Sequence, residues 1–316
     1  MTSILVTGGA GFIGSHLVDH LLHRGEKVVV LDDLSMGSKT NLQDHENLIF
    51  IQGDLSHRLT IQEVFAQHSF KKVFHLGAIA SVAASVEHPF ETHQTNLEGT
   101  LYLLEEVRKV GSIERFVFAS SAAVYGDEPT LPKREKSEIR PLTPYAIDKF
   151  ASEQYVLAYS RLYGIPTAAT RFFNVYGTRQ NPSSPYSGVI SIITDRFKKL
   201  MNGEETIFTL FGDGKQTRDF VYVEDVIQAL TLVSENEEAI GRVFNVGTGK
   251  ETSLVDMISI LEKITSTTLP IDQKEERAGD IKHSYSCIDD LESIGFNPHY
   301  SMEAGLRKYW EEEINQ

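Results

Sequence analysis

Tyr145 and Lys149 stand four residues apart at the start of a stretch, 145–163, that reads as a helix. That spacing puts a phenol and an ammonium on one helix face, one turn apart. An ammonium beside a phenol stabilises the phenolate and draws its pKa from about 10 toward neutrality. Upstream, an apolar strand at 115–119 runs into Ser120-Ser121-Ala122-Ala123-Val124-Tyr125-Gly126. The Ser121 hydroxyl, at a strand end facing the same crevice, is placed to orient a substrate alcohol. These three groups suit one reaction, in which a proton moves on a carbinol oxygen while hydride leaves its carbon. A Tyr-xxx-Lys pair alone also fits a solvated helix face, so the elements that carry it decide.

Those elements begin at the amino end. The apolar run Ile4-Leu5-Val6 leads into Thr7-Gly8-Gly9-Ala10-Gly11-Phe12-Ile13-Gly14, and an amphipathic stretch, 12–24, follows. Glycines at 8, 11 and 14 allow a tight turn, close approach of a pyrophosphate to the backbone, and close packing of helix on strand. The helix start offers free N–H groups and a positive dipole to phosphates. A second apolar run, 28–31, ends in Asp32, an acid that can accept from an adenosine ribose and repels a 2′-phosphate. The pattern reads as dinucleotide binding, with NAD preferred to NADP, rather than as a glycine-rich turn without a ligand. On the first helix His16, Asp19, His20 and His23 have a spacing that could hold a metal. Leu17, Val18, Leu21 and Leu22 occupy the other side, so the stripe reads as the solvent face of a crossover helix and no metal is assigned.

The chain of 316 residues is long enough for one large or two unequal domains with a substantial core. A net charge of -14 argues against a nucleic-acid surface, although local arginines and backbone N–H groups can still hold an anion. The single cysteine, Cys287, excludes an internal disulfide framework, and no stretch has the length of a membrane span, so a cytoplasmic protein is expected. Short apolar runs at 4–7, 28–32, 48–52, 73–76, 115–119 and 167–171 alternate with helical patterns at 12–24, 61–67, 90–110 and 145–163. That alternation predicts an α/β fold, a doubly wound parallel (Rossmann) sheet with its ligands at the carboxyl ends of the strands. After Gln180 a loop by composition, 181–188, precedes a helix at 189–201, a strand–helix unit at 221–233 and a strand at 243–247. The expected division is a dinucleotide domain over 1–175, rejoined by about 220–250, and a smaller interleaved α/β substrate domain over 176–316.

With these residues in view, the chain resembles the extended short-chain dehydrogenase/reductases of the NAD-dependent epimerase/dehydratase family, most closely the UDP-hexose 4-epimerases. The similarity covers nearly the whole chain. It includes the glycine motif, Asp32-Asp33-Leu34-Ser35, Gly53-Asp54, His75-Leu76-Gly77-Ala78, Asn96, the Ser121/Tyr145/Lys149 group and Arg171-Phe172-Phe173-Asn174-Val175-Tyr176-Gly177. It continues through Gly212-Asp213-Gly214-Lys215-Gln216-Thr217-Arg218-Asp219-Phe220 and Arg277-Ala278-Gly279-Asp280. By resemblance NAD is held by Gly8, Gly11, Phe12, Ile13, Gly14, Asp32, Asp33, Leu34, Ser35, Gly37, Gly77, Asn96, Tyr145 and Lys149. Asp54 and Leu55 would flank the adenine, Leu76 and Ala78 would line the pyrophosphate and nicotinamide side, and Phe173 would pack near the nicotinamide. Asn174, Arg218, Arg277 and Asp280 would hold UDP, with Val189 also in the substrate site. Two arginines suit a pyrophosphate, since each offers planar bidentate donors with a permanent charge, and Phe211 offers a flat apolar surface for uracil. Counting back from Val124-Tyr125-Gly126 selects Ser121 over its neighbour Ser120.

The resemblance also ranks reactions. A 4,6-dehydratase of this group carries an Asp-Glu pair after the catalytic hydroxyl and a uronic-acid decarboxylase keeps a Glu there, whereas this chain has Ala122 and Ala123. The reaction it implies is reversible C4 epimerisation of a UDP-hexose through a transient 4-keto sugar and bound NADH. Another nucleotide-sugar reductase or dehydratase, or a non-catalytic NAD-binding regulator, are the alternatives. Four residues beyond Asp280, Ser284 falls where these enzymes place a residue against the sugar's C2 substituent. Its small side chain leaves room for an acetamido group, so UDP-GlcNAc and UDP-GalNAc are the expected pair. A homodimer through helices 90–110 and 145–163 is the family expectation.

Overall fold

The computed structural model describes residues 2–180, 188–276 and 281–314. Six strands come first in the chain: β1 (Ser3–Thr7), β2 (Val28–Asp32), β3 (Leu48–Gln52), β4 (Phe70–His75), β5 (Arg115–Ser121) and β6 (Thr167–Phe172). With Val243–Val246 they form one seven-stranded sheet, in the order Val243–Val246, β6, β5, β4, β1, β2, β3. All of its pairs are parallel. This is a Rossmann sheet, and the strand at 243–247 rejoins it as the seventh member. Parallel strands covered on both faces read as continuous apolar runs, which is why β1 and β2 are buried along their whole length. One apolar layer, containing Val6, Val30, Leu17 and Leu21 with Val226 and Leu230, fills one face. Leu5, Val29, Ile61, Leu103 and Val156 fill the other. Each such fully buried side chain contributes about 1.5–3 kcal/mol.

Helix Phe12–His23 follows the glycine turn directly. Gly8 has φ +68, and a Cβ there would lie 2.7 Å from Gly77 Cα, so glycine permits both the left-handed turn and the contact between the β1 and β4 loops. A Cβ on Gly14 would run into Gly8 O, so any larger residue forces the helix off the turn. Helix Pro144–Tyr163 is equally well bounded. The Thr143 hydroxyl accepts from Ala146 N–H, Pro144 takes the first turn, and Gly164 ends the helix at φ +67.

Three expectations change. The stretch 90–110 is not one helix but Pro89–His93, a π-helical turn over Gln94–Glu98, and Gly99–Val110. The extra residue in that turn carries Asn96, whose side chain reaches back to the loop at Ile79. A short helix, Val82–Glu87, was not anticipated. The histidine stripe is not a free solvent face either. His16 is half-buried with its ring nitrogen 3.1 Å from Thr178 O, and Asp19 pairs with Arg179 at 2.6 Å. A loop from the far side of the chain covers that part of the helix.

A further apolar cluster, with Ile193, Phe197, Leu210, Met257, Leu261, Leu306 and Trp310, lies beneath helices Val189–Met201, Leu254–Thr265 and Met302–Ile314. Beside it run short ladders: Phe208–Phe211 with Ile271–Lys274, Phe220–Tyr222 with Asn174–Tyr176, and Thr217–Arg218 between Thr252–Ser253 and His283–Ser284. Among the described residues no helix is long and apolar enough to cross a membrane.

Candidate active site

The strand order reverses between β1 and β4, and a crevice of about 310 Å³ opens beyond their carboxyl ends. That is where an open parallel sheet leaves room for a nucleotide. Gly8, Gly11, Phe12, Ile13 and Gly14 form one wall, with Asp32, Asp33, Ser35 and Gly37 at the end of β2. Leu55, Leu76, Gly77 and Ala78 form another, and Tyr145 and Lys149 close the inner end. Asp32 is buried and both its oxygens take backbone donors, Ala10 N–H at 2.9 Å and Leu34 N–H at 2.8 Å. Burial raises its carboxyl above the usual range, against the pull of those N–H groups. Leu34 sits at φ +64, a strained position for a branched residue, held there by the Asp32 bond. The carboxylate therefore shapes the turn as well as facing the crevice. Asp54, outside the lining, caps its own turn by accepting from Ser56 N–H at 2.7 Å.

Behind the crevice runs a directed chain of hydrogen bonds. Gly77 N–H donates to Thr7 Oγ1 at 3.1 Å, which leaves the Thr7 hydrogen for His75 Nδ1 at 2.7 Å. His75 Nε2 then faces Thr100 Oγ1 at 2.9 Å, and Thr100 donates to Asn96 O at 2.6 Å. Full burial lowers the His75 pKa to about 3, so the ring is neutral and one tautomer satisfies every partner. Asn96 completes the loop, its amide bonding Ile79 N–H at 2.8 Å and Ile79 O at 3.0 Å. Asn96 thus lies behind the loop that carries Leu76, Gly77 and Ala78 and is not among the residues lining the crevice.

At the inner end, the Ser121 hydroxyl accepts Ala123 N–H at 3.2 Å and favours the charged form of the Tyr145 phenol beside it. Ser120, not Ser121, is among the residues lining the crevice, and its hydroxyl donates to Glu153 at 2.7 Å. Glu153 is wholly buried and paired with Arg171 at 2.6 Å, which anchors the strand beneath the site. Lys149 is buried, donates to Ala119 O at 2.8 Å and lies 4.9 Å from the Phe118 ring centre. Burial pushes its pKa down to about 7, and burial pushes the Tyr145 phenol up, opposed by the Ser121 bond. The expected lowering of the phenol by Lys149 is thus not seen in the protein alone, where burial raises it and the opposing contribution comes from Ser121. Ala122 and Ala123 follow Ser121 in a single 3-10 turn.

The crevice wall beside β6 is Phe172, whereas Phe173 is buried against Val124 and Tyr125 behind the serine loop. Strand alternation places the two rings on opposite sides. Arg179 and Gln180 also line the crevice, which sequence reasoning missed, since nothing in their spacing distinguishes them from other loop residues. Of the expected substrate residues, Asn174, Arg218 and Ser284 come together. Asn174 N–H donates to Asp219 O at 3.0 Å, and Arg218 is the ladder partner of Ser284. Phe211 ends the strand paired with Ile271–Lys274, and Val189 begins the next helix, both half-buried. Arg277 and Asp280 lie outside the described residues.

A doubly wound sheet, a glycine turn with an acid at the end of β2, and a Ser-Tyr-Lys group at the crevice define a nucleotide-dependent enzyme of the short-chain dehydrogenase/reductase class. Residues 4–247 match the NAD dependent epimerase/dehydratase family. A putative UDP-glucose 4-epimerase of Methanocaldococcus jannaschii is 39% identical over 311 residues, 96% of each chain. The UDP-glucose 4-epimerase of Thermotoga maritima, solved with UDP-glucose, superposes with a TM-score of 0.91 at 37% identity, covering 99% of both chains. The UDP-N-acetylglucosamine 4-epimerase of Methanobrevibacter ruminantium, in complex with UDP-N-acetylmuramic acid, gives 0.91 at 36% identity, covering 100% of this chain and 99% of that one. The chain belongs to the NAD-dependent epimerase/dehydratase family. It is an NAD-dependent epimerase, with NAD as its cofactor.

Proposed function

We propose that the protein interconverts the C4 epimers of a UDP-hexose, with UDP-GlcNAc and UDP-GalNAc as its preferred pair. The observation that carries this reading is the buried Tyr145 at the inner end of the nucleotide crevice, with Lys149 one turn on and the Ser121 hydroxyl favouring its phenolate. NAD fits that crevice, because the glycine turn leaves no Cβ between the helix N-terminus and a pyrophosphate, and Asp32 stands at the ribose end. Bound NAD supplies the hydride acceptor and donor, and its cationic nicotinamide ring adds positive charge that the buried phenol lacks. Tyr145 takes the proton of the C4 hydroxyl and later returns it, while Ser121 orients that hydroxyl. Lys149, held by Ala119 O, keeps an ammonium close to the phenolate, and the first helical turn around Tyr145 favours the same charge. With alanines after Ser121, that turn offers no acid or base for eliminating water, so the 4-keto sugar turns over and is reduced from its other face.

Asn174, Arg218 and Ser284 are read as the protein's hold on the UDP-sugar, joined by Arg277 and Asp280. Ser284 is small and half-buried beside Arg218, which supports room for an acetamido group. Residues 1–175 with Val243–Val246 are read as the NAD domain and 176–316 as the smaller substrate domain. The pairing of Val243–Val246 with β6 and the separate cluster around Phe197 and Trp310 support that division. The enzyme is further read as a cytoplasmic homodimer. Proton NMR of UDP-Glc, UDP-GlcNAc and their uronic acids, each incubated with the NAD-loaded protein, tests the reaction. C4 inversion fastest with UDP-GlcNAc is expected, and elimination products or no turnover of any of them overturn the reading.

A further inference from the structure

Asp219 sits between two short ladders and is wholly buried. Its Oδ1 accepts Thr248 N–H at 2.8 Å and the Thr248 hydroxyl at 2.7 Å. Its Oδ2 accepts Gly249 N–H at 3.1 Å, Ser286 N–H at 3.1 Å and the Ser286 hydroxyl at 2.5 Å. Five donors from two separate segments thus converge on one carboxylate. The backbone of the same residue makes two further links. Asp219 O accepts from Asn174 N–H and Asp219 N–H donates to Ser284 O, each at 3.0 Å.

The ladders that Asp219 joins are too short to hold themselves in register. Thr217–Arg218 pairs with His283–Ser284 over two residues, and Phe220–Tyr222 pairs with Asn174–Tyr176 over three. Isolated pairings of that length are marginal in water. A slip of one residue would reverse which side chains share a face. We propose that Asp219 is a positioning residue for the nucleotide half of the substrate. Its carboxylate fixes the spacing of Asn174, Arg218 and Ser284 without touching the ligand. The proposal rests on the reading of those three residues as the UDP-sugar site. Gly247 belongs to the same device, because a Cβ there would lie 2.5 Å from both Asp219 Oδ2 and Ser286 Oγ.

The test is Asp219→Asn, with Ser286→Ala as a milder variant that removes a single hydroxyl donor. In Asp219→Asn the new NH2 faces N–H donors whichever way the amide is turned, so part of the clamp opens. Calorimetry with UDP alone, NAD titration, and separate kcat and KM on the NAD-loaded enzyme give the readouts. UDP affinity is expected to fall about tenfold or more in Asp219→Asn and less in Ser286→Ala, a tenfold loss being about 1.4 kcal/mol. The loss should appear mainly in KM, with NAD affinity and the Tyr145-dependent kcat little changed. Unchanged UDP affinity in both variants overturns the proposal, as does a parallel loss of UDP and NAD binding, which marks general unfolding. If Asp219→Asn does not fold, unchanged UDP affinity in Ser286→Ala alone decides against it. A wild type that does not bind UDP overturns both this proposal and the substrate reading beneath it.

Discussion

Tyr145 and Lys149 are both taken out of water without an anion to pair with, and each is pushed toward its neutral form. Tyr145→Phe should lower turnover by a factor of about 10²–10⁴ while NAD titration stays near wild type, since only the proton carrier is lost. Near-normal turnover by that variant refutes the mechanism. Lys149 carries a stability cost whose sign can be worked out. Its folded pKa of about 7 lies below the roughly 10.4 of an unfolded lysine, so between those values the unfolded chain binds more protons and stability rises with pH. Lys149→Met removes the penalty. The inactive variant should melt above the wild type by an amount equivalent to roughly a few kcal/mol at pH 6, with the difference shrinking toward pH 10. Melting curves of the NAD-free proteins at pH 6 and 9.5 check this, and a gap that widens with pH contradicts the burial argument. Ser284→Tyr should suppress turnover of UDP-GlcNAc selectively, because overfilling a pocket costs more than losing one hydroxyl. Equal slowing of UDP-GlcNAc and UDP-Glc in paired assays removes Ser284 from the specificity argument.

Loops at the ends of parallel strands do the positioning, and each is fixed by a buried polar group behind it. Asp32 ties the glycine turn to Leu34, and the Thr7–His75–Thr100–Asn96 chain ties the β4 loop to the π-helical turn. Asp32→Ala therefore has two consequences. Ala10 N–H and Leu34 N–H lose their acceptor, which should destabilise the protein by about 1–3 kcal/mol. The crevice also loses the charge that repels a 2′-phosphate, so NAD should bind more weakly and NADP relatively better. Titration of both nucleotides with denaturant melts separates the two effects. A wild type that binds NADP as well as NAD refutes the cofactor assignment for Asp32.

On the scale of the whole chain, the helices at 82–110 and 144–163 leave large apolar side chains in water. Val86 is 61% exposed, Phe90 68% and Leu162 71%, with Tyr155 and Ile147 about half so. Surface of this kind on neighbouring helices supports the proposed homodimer, with a second copy of the chain as its occupant. Phe90→Asp and Tyr155→Asp, each measured by analytical ultracentrifugation, should shift the enzyme toward monomer while the monomer keeps its NAD affinity. A wild type that sediments as a monomer, or variants that both remain dimeric, rules out this surface.

The parallel sheet and the positions of the residues proposed for chemistry were legible along the chain. Strand and helix patterns have fixed periods, and the glycine turn, Asp32, Ser121, Tyr145 and Lys149 all lie within a few residues of a strand or helix end that those periods locate. β2 and β3 have the bounds that their apolar runs imply, and β5 ends on Ser121 itself. What depends on distant partners emerged from the folded chain alone. Asn96 turns from the crevice to Ile79 because a π-helical residue rotates it. Phe172 lines the crevice where Phe173 was expected, and His16 and Asp19 are covered by a loop 160 or more residues away. The gathering of Asn174, Arg218 and Ser284 around Asp219 is likewise invisible along the chain. A hydrogen bond to one buried carboxylate has no period, so no local pattern announces which segments it will join.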